Sequence, residues 1–230
     1  MTQRTRIIAL ICVLAVVAAG VIGYELLSRP SASSSSTTAS RSATPAAAPS
    51  QQAADAENTP AGNSSVLVVY FSRTEGVYGG DLTVGNTARI AQMIQERTGA
   101  DSYEIVPAVD YPSDYQETTE VAQDELDADA RPAIRDPLPD VSGYDTVFVG
   151  APIWWGEYPM VIRTFLDAVD LNGKTVIPFT THEGSGMGNT RQQLEAQYPR
   201  ATVPVGLAVR GSRAADARPE VDAWLEGLGL

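Results

Sequence analysis

The sequence predicts a doubly wound α/β domain built on a five-stranded parallel sheet, within residues 66–230. Apolar, β-branched runs alternate along it with segments whose apolar residues have helical spacing. This alternation is typical of parallel strands joined by right-handed helical crossovers. The run "VLVVYF" is apolar throughout, as expected of a strand that helices cover on both faces.

The elements follow one another in strict alternation. The predicted strands are residues 66–71, 102–106, 145–151, 174–179 and 201–209. The predicted helices are residues 87–99, 113–129, 158–169, 189–199 and 214–228. In the first helix, Ala88, Ile90, Ala91 and Ile94 form an apolar face, and Gly99 is a typical stop. No internal repeat is visible, so a repeat architecture is not expected.

A hydrophobic segment occupies residues 1–27. Arg4 and Arg6 precede an uncharged apolar run that is long enough to span a bilayer as a helix. The pattern indicates either a cleaved export signal or a retained membrane anchor. Cys12, the only cysteine, lies in this segment, so the rest of the chain has no thiol, which fits an oxidising compartment. We expect an extracytoplasmic protein, either membrane-anchored or secreted.

Residues 28–65 have a different composition, rich in Ser, Ala, Thr and Pro and almost free of large apolar side chains. Such a segment cannot bury enough surface to offset its conformational entropy. The sequence therefore predicts a disordered linker between the hydrophobic segment and the folded domain.

The folded domain is acidic. Four of the 16 basic and three of the 28 acidic residues precede residue 66, which leaves 12 basic and 25 acidic residues in the domain. This excess argues against nucleic acid or an anionic membrane surface as the domain's partner. It fits a basic redox partner protein, and it is equally explained by solubility.

In a doubly wound sheet, ligands bind beyond the carboxyl ends of the strands. The loop after the first predicted strand runs from Ser72 to Thr87, is poor in bulky side chains and leads into a helix start, where backbone N–H groups bind phosphate. Gly80 to Thr87 reads G-x-x-x-x-G-N-T and lacks the lysine that nucleoside-triphosphate loops use. The loop therefore favours a single phosphate. The alternative is ordinary capping of the helix by Asn86 or Thr87.

The loop after the third strand, "APIWWGEYP", contains two adjacent tryptophans and a glycine. An indole can stack on a planar aromatic ligand, and Gly156 permits backbone conformations that a side chain forbids. The alternative is that both tryptophans pack inward. We expect one of Trp154 and Trp155 in the core and the other at a ligand.

The loop after the fourth strand, "TTHEGSGMGNT", combines hydroxyls and glycines with His182, the only histidine. His182 either donates a hydrogen bond to a ligand or caps the strand. The carboxyl ends of parallel strands share one edge of a sheet, so the three loops together predict a site for one phosphate and one planar ring.

The motifs "YFSRT", "GNT", "PIWWG" and "THEGSG" resemble those of the flavodoxin-like family, whose members bind FMN. The resemblance spans residues 66–230 and implies a sheet of strand order 2-1-3-4-5. It implies a phosphate loop of Ser72, Arg73, Thr74, Gly85, Asn86 and Thr87. It places Pro152, Ile153, Trp154, Trp155 and Gly156 beside one side of the flavin ring, and Thr181, His182, Glu183, Gly184, Ser185 and Gly186 beside the other.

One departure from the family pattern separates Thr74 from Gly85. The family branch with these motifs often runs "FSRTGNT" without a break, whereas this chain inserts the ten residues 75–84. We expect the insertion to form a flap near the phosphate. Either Ser72 and Thr74 contact the phosphate as well, or only residues 85–87 do.

The resemblance implies an FMN protein that moves electrons, either as a carrier or as an NAD(P)H-dependent quinone or nitro-group reductase. Electrons would pass to or from a redox partner protein or a small-molecule acceptor. A second interpretation is a binding module that has kept the fold and lost the flavin. The sequence has no G-x-S-x-G motif and no cluster of metal ligands, so neither hydrolase nor metal chemistry is expected.

Overall fold

The computed structural model of the protein describes residues 65–230. The predicted signal or anchor at residues 1–27 lies outside the described residues, as does the predicted linker except for Ser65. Within the described part of the chain, no helix has both the length and the apolar character needed to cross a membrane.

Five parallel strands form one sheet in the order β2-β1-β3-β4-β5. The strands are β1 (Val66–Tyr70), β2 (Asp101–Glu104), β3 (Thr146–Pro152), β4 (Thr175–His182) and β5 (Leu207–Arg210). The predicted five-stranded parallel sheet is therefore confirmed, and so is the strand order that the family resemblance implies.

In the described part of the chain, four helices connect consecutive strands and a fifth follows β5. They are α1 (Asn86–Thr98), α2 (Tyr115–Asp127), α3 (Met160–Ala168), α4 (Thr190–Gln197) and α5 (Arg218–Leu228), with a 3₁₀ helix (Gly211–Asp216) before α5. Gly99 ends α1 in the left-handed conformation, as its position predicted. Asp114 begins α2, because its side chain accepts a hydrogen bond from the backbone N–H of Glu117 at 2.9 Å.

The sheet lies between two apolar layers, because alternate strand residues point to opposite faces. Leu67 and Val69 of β1 pack into a cluster with Phe165 of α3 and Leu194 of α4. Val66 and Val68 pack into the opposite cluster, which includes Ile90 of α1 and Leu225 of α5. This burial on both faces explains why β1 and β3 read as continuous apolar runs.

Some predicted bounds are wrong. The fifth strand was predicted over residues 201–209 but begins at Leu207, and Thr202 forms only an isolated bridge to Thr175. Pro204 has no N–H to donate to a ladder, which explains the interruption. Residues 214–216, predicted as α-helix, belong to the 3₁₀ helix, and β2 spans Asp101–Glu104 rather than residues 102–106.

The first described residue is attached at the amino end of the sheet. The carbonyl of Ser65 accepts hydrogen bonds from the N–H groups of Asp145, at 2.8 Å, and Thr146, at 3.0 Å. β1 then runs away from this point, so the loops at the carboxyl ends of the strands lie on the opposite edge of the sheet.

Candidate functional site

The three predicted loops lie together in one cleft of about 980 Å³ at the carboxyl ends of β1, β3 and β4. This volume is at the upper end of the range for small-molecule sites. Most of the predicted site residues line the cleft. They are Ser72, Arg73, Asn86, Thr87, Pro152, Ile153, Trp154, Trp155, Gly156, Thr181, His182, Glu183, Gly184 and Ser185. Thr74, Gly85 and Gly186 are not among the residues of its wall.

The first turn of α1 offers donors to this cleft. The N-cap of α1 is Gly85, which has no side chain, so the alternative in which Asn86 or Thr87 caps the helix is wrong. The N–H groups of Asn86 and Thr87 therefore have no intrahelical acceptor and lie at the positive end of the helix dipole. Ser72 Oγ accepts from the N–H of Ala88 at 3.0 Å, which leaves the Ser72 hydroxyl hydrogen free to be donated.

Gly85 supports this arrangement from behind the wall. A Cβ at this position would lie 2.2 Å from Ser72 Oγ and 2.6 Å from the carbonyl oxygen of Arg73. Only a residue without a side chain allows the first loop to close against the start of α1. The predicted contribution of Gly85 is thus a close approach of backbone segments.

Arg73 and Thr74 have other contacts. The guanidinium of Arg73 donates to Thr118 Oγ1 at 2.9 Å and to the carbonyls of Pro112, at 2.6 Å, and Tyr111, at 3.3 Å. It also lies 5.5 Å from the centre of the Tyr111 ring, and burial lowers the pKa of Arg73. Arg73 therefore fastens the first loop to the start of α2. The carbonyl of Thr74 accepts from the N–H of Leu82 at 2.8 Å and closes the base of the insertion.

The insertion at residues 75–84 extends the cleft toward α2. Gly76, Val77, Tyr78 and Leu82 line it. Gly76 has a φ of +60°, and a Cβ there would lie 2.5 Å from Thr118 Oγ1, so this glycine lets the insertion pack against α2. The insertion is thus a side wall that joins the first loop to α2.

The two tryptophans of the second loop have different environments. Trp154 packs edge-on against Phe71, with ring centres 5.6 Å apart, and against Tyr111, with ring centres 5.0 Å apart. Trp155 is 57% exposed, and its indole N–H donates to the carbonyl of Thr119 at 3.1 Å. Trp154 is thus partly buried against the core, and Trp155 is the more exposed of the two in the cleft. Contact of a tryptophan with a ligand stays a prediction.

Trp155 and Gly156 occupy a tight turn. Trp154 and Glu157 exchange both backbone hydrogen bonds, at 3.1 and 3.0 Å, and the two residues between them have φ values of +50° and +85°. Two positive φ angles are the signature of a type I′ turn, which a glycine accepts without strain and a tryptophan does not. The carbonyl of Gly156 accepts from the N–H of Asn189 at 2.8 Å, which ties this loop to the next one.

In the third loop, His182 and Glu183 hold backbone groups. His182 Nδ1 accepts from the N–H of Gly184 at 2.9 Å, so the neutral imidazole carries its hydrogen on Nε2. Glu183 Oε1 accepts from the N–H of Ser212 at 3.1 Å. A Cβ on Gly211 would lie 2.6 Å from both Glu183 Oε1 and Asn86 Nδ2, so Gly211 lets the 3₁₀ helix close this end of the cleft.

A buried pair of hydroxyls joins the first and third loops. Thr87 Oγ1 and Thr181 Oγ1 lie 2.8 Å apart, and both residues are buried. One hydroxyl donates to the other, so the second keeps its hydrogen for a further acceptor. Both residues line the cleft, so this free donor lies in its wall.

Acidic side chains outnumber basic ones around the cleft. Glu120, Asp124 and Glu183 line it, and Arg73 is the only lysine or arginine among its described lining residues. No group of metal-ligating side chains large enough to hold an ion occurs between residues 65 and 230. The arrangement can hold a small anion through amides and hydroxyls, and a planar ring against Trp155.

Several lining residues were not predicted. Besides Gly76, Val77 and Leu82 of the insertion, they are Tyr78, Tyr115, Gln116, Thr118, Thr119, Glu120, Ala122, Gln123, Asp124 and Gly211. Most belong to α2, whose polar sequence resembled an ordinary solvent-exposed helix. The ten-residue insertion could have indicated that the cleft extends beyond the three loops, because an insertion before α1 needs a neighbouring surface on which to pack.

Comparison with known proteins decides the family. The Flavodoxin_4 family model, described as flavodoxin, matches residues 65–228. The chain belongs to the flavodoxin family. No curated protein matches the sequence.

Among solved structures, a proposed flavoprotein from Bacteroides uniformis is 32% identical, with a TM-score of 0.59, over 71% of this chain and 98% of its own. A second, from Bacteroides eggerthii, is 32% identical, with a TM-score of 0.58, over 73% of this chain and 99% of its own. A flavoprotein from Lactobacillus acidophilus, in complex with FMN, is 22% identical, with a TM-score of 0.50, over 66% of this chain and 96% of its own. This last likeness concerns the fold alone.

Proposed function

We propose that this member of the flavodoxin family binds FMN and transfers electrons outside the cytoplasmic membrane. The observation that carries the proposal is the combination, in one cleft, of two backbone N–H groups at a helix start, free hydroxyl donors and an exposed indole. Each feature by itself is common. Together they match the phosphate and the ring of a flavin mononucleotide.

The donor set suits a single phosphate group. The N–H groups of Asn86 and Thr87, the hydroxyl of Ser72 and the amide of Asn86 provide donors without a lysine. A monophosphate can be satisfied in this way, whereas a triphosphate needs a cation at its terminal groups. Ser72 and residues 86–87 would therefore hold the phosphate, with Gly85 allowing the close approach and Arg73 fixing the loop.

The ring would lie between the second and third loops. Trp155 offers an exposed aromatic face, and the backbone of residues 182–185 borders the cleft on the other side. The hydrogen on His182 Nε2 provides a donor in this wall. The packing of Gly188 against the carbonyl of Gly156 keeps the two loops at a constant separation.

Bound FMN would supply the capacity to accept and release electrons, and the protein would set its affinity, exposure and potential. The side chains that can change this potential are those with charge near the ring. Glu183 lines the cleft, and a carboxylate there disfavours an anionic, reduced ring. The hydrogen bonds of Arg73 to Thr118 and to the carbonyls of Tyr111 and Pro112 keep its positive charge directed at the start of α2.

The proposed location and partners rest on residues 1–27 and on the acidic domain. An export signal or anchor in that segment would carry the domain across the cytoplasmic membrane. The excess of acidic residues would favour a basic redox protein as partner, or a small-molecule acceptor that the cleft admits. A fusion of the chain to a reporter enzyme that is active only outside the cytoplasm tests the location, and an inactive fusion would contradict it.

Titration of the purified full chain in detergent with FMN tests the cofactor. We expect the flavin absorption bands to shift and its fluorescence to be quenched as FMN stacks on Trp155. A Trp155→Leu variant should bind FMN with retained stoichiometry and much weaker quenching. An unchanged flavin spectrum at saturating protein would contradict the proposal and support a binding module without flavin.

A further inference from the structure

Part of the cleft wall is formed by residues outside the motifs that we assign to FMN binding. Its outer part is formed by two segments that carry none of those motifs, the insertion at residues 75–84 and α2 from Tyr115 to Asp124. We call this part the outer compartment and define it by Tyr78, Leu82, Tyr115, Thr119, Glu120 and Asp124. Trp155 lies at its border, because its indole N–H is bonded to Thr119.

Exposed aromatic rings concentrate in this compartment. Tyr78 is 67% exposed and Tyr115 is 45% exposed, and their ring centres lie 6.0 Å apart in an edge-to-face arrangement. Trp155 is 57% exposed in the same cleft. Of the seven large hydrophobic side chains that are exposed in residues 65–230, these three line the cleft. Because Trp155 is assigned to the FMN ring, Tyr78 and Tyr115 remain for a second ligand. Grouped aromatic side chains in a concave site indicate a flat, aromatic ligand.

The charges of the compartment restrict that ligand further. Glu120 and Asp124 are exposed carboxylates in its wall. Arg73, the cation nearest in sequence to the insertion, donates to Thr118 and to the carbonyls of Tyr111 and Pro112, so it is already engaged. A dinucleotide such as NADH would place its pyrophosphate among carboxylates without a free cation. An anionic ligand is therefore disfavoured.

We propose that the outer compartment binds a planar aromatic redox compound without anionic groups, of the quinone class, and rejects nicotinamide dinucleotides. This proposal rests on the proposed function, because it places the compound beside bound FMN. Quinone and hydroquinone differ by two electrons and two protons, which is also the difference between oxidised and fully reduced FMN. Exchange between them therefore balances without a further reactant.

The decisive measurement is calorimetric binding of naphthoquinone to the FMN-loaded, oxidised full chain, with a protein-free detergent blank. Naphthoquinone sulfonate and NADH serve as anionic probes. We expect naphthoquinone to bind and each anionic probe to bind at least tenfold more weakly. The readout does not depend on turnover, and a failure of FMN to bind the apoprotein would show up earlier, in the flavin titration.

The variants Tyr78→Ala and Tyr115→Ala locate the site. Each lost aromatic contact should weaken naphthoquinone binding about threefold to tenfold, whereas Tyr78→Phe and Tyr115→Phe should keep it. FMN affinity should stay unchanged in all four. Glu120→Gln combined with Asp124→Asn removes both carboxylates, so it should reduce the difference in binding affinity between naphthoquinone and naphthoquinone sulfonate. The proposal would be overturned if both alanine variants bound naphthoquinone with the affinity of the parent protein, or if the parent protein bound NADH as tightly as naphthoquinone.

Discussion

The hydroxyl oxygens of Thr87 and Thr181 lie 2.8 Å apart and join the first turn of α1 to the end of β4 beneath the cleft. Replacing Thr181 with valine keeps the shape but leaves the buried Thr87 hydroxyl without this partner. We expect the free energy of unfolding to fall by about 1–3 kcal/mol, the usual cost of an unsatisfied buried polar group. Urea unfolding of the full chain measures it. The double variant Thr87→Val/Thr181→Val should recover most of the loss, and a single variant as stable as the double would contradict the pairing.

Gly85 offers a test of the close approach between the first loop and α1. A methyl group at this position would lie 2.2 Å from Ser72 Oγ, so Gly85→Ala should displace Ser72 and weaken FMN binding about tenfold or more. The matched control is Gly227→Ala in α5, where a Cβ meets nothing within 4 Å. That variant should keep FMN affinity and gain a few tenths to about 1 kcal/mol of stability. Equal FMN affinity in the two variants would remove Gly85 from the site.

Glu183 and Glu157 should differ in their effect on the flavin. Glu183 lines the cleft, whereas the Glu157 carboxylate accepts from Gln193 Nε2 at 2.8 Å and is not part of the cleft wall. Glu183→Gln keeps an oxygen acceptor for Ser212 and removes the charge. We expect it to raise the FMN midpoint potential by about 20–40 mV in a redox titration. Glu157→Gln should raise the potential by less, and the reverse order would contradict this assignment.

Glu125 provides a prediction about pH. Burial raises the pKa of its carboxyl above the ordinary value of 4.5, although a hydrogen bond from the Tyr111 hydroxyl, at 2.8 Å, opposes the shift. As pH rises past the ordinary value, the unfolded chain loses this proton before the folded protein does, so folding loses stability until the raised pKa is passed.

The variant Glu125→Gln lacks this titration and keeps an acceptor for Tyr111. Its melting temperature relative to that of the parent protein should therefore increase as the pH rises above the ordinary carboxyl value of 4.5, until the raised pKa is passed. Thermal unfolding of both proteins across this range checks the sign. A difference that is constant with pH, or that falls as pH rises, would mean that the folded protein does not hold the Glu125 proton more tightly than the unfolded chain.

The central strands β1, β3 and β4 were predictable because burial on both faces leaves a continuous apolar run in each of them. The order of the sheet came from the family resemblance, since alternation alone does not order parallel strands. The start of β5 was not predicted correctly, because β-branched residues around Pro204 continue the strand pattern while the proline removes a ladder donor.

The residues of the cleft wall were predictable where a loop carries its own chemistry, as the loops of Trp155 and His182 do. The role of a residue was not predictable where it acts through a distant partner. The family resemblance implies Arg73 in the phosphate loop, which stays a prediction, whereas its hydrogen bond to Thr118, 45 residues away along the chain, could not be read from the sequence. Gly211 is likewise required to be a glycine only because the side chains of Asn86 and Glu183, which are distant in sequence, both pack against its Cα. Such pairings depend on packing between elements, which local sequence patterns do not encode.

The attachment of Ser65 at the amino end of the sheet has a practical consequence. Its carbonyl is held by Asp145 and Thr146, across the full length of the strands from the loops that form the cleft. The folded domain can therefore be grafted to an electrode through a linker ahead of Ser65 with its opening turned to the electrolyte. Voltammetry in that orientation would measure the current from compounds that enter the cleft past Tyr78 and Trp155, and the support would not block their access.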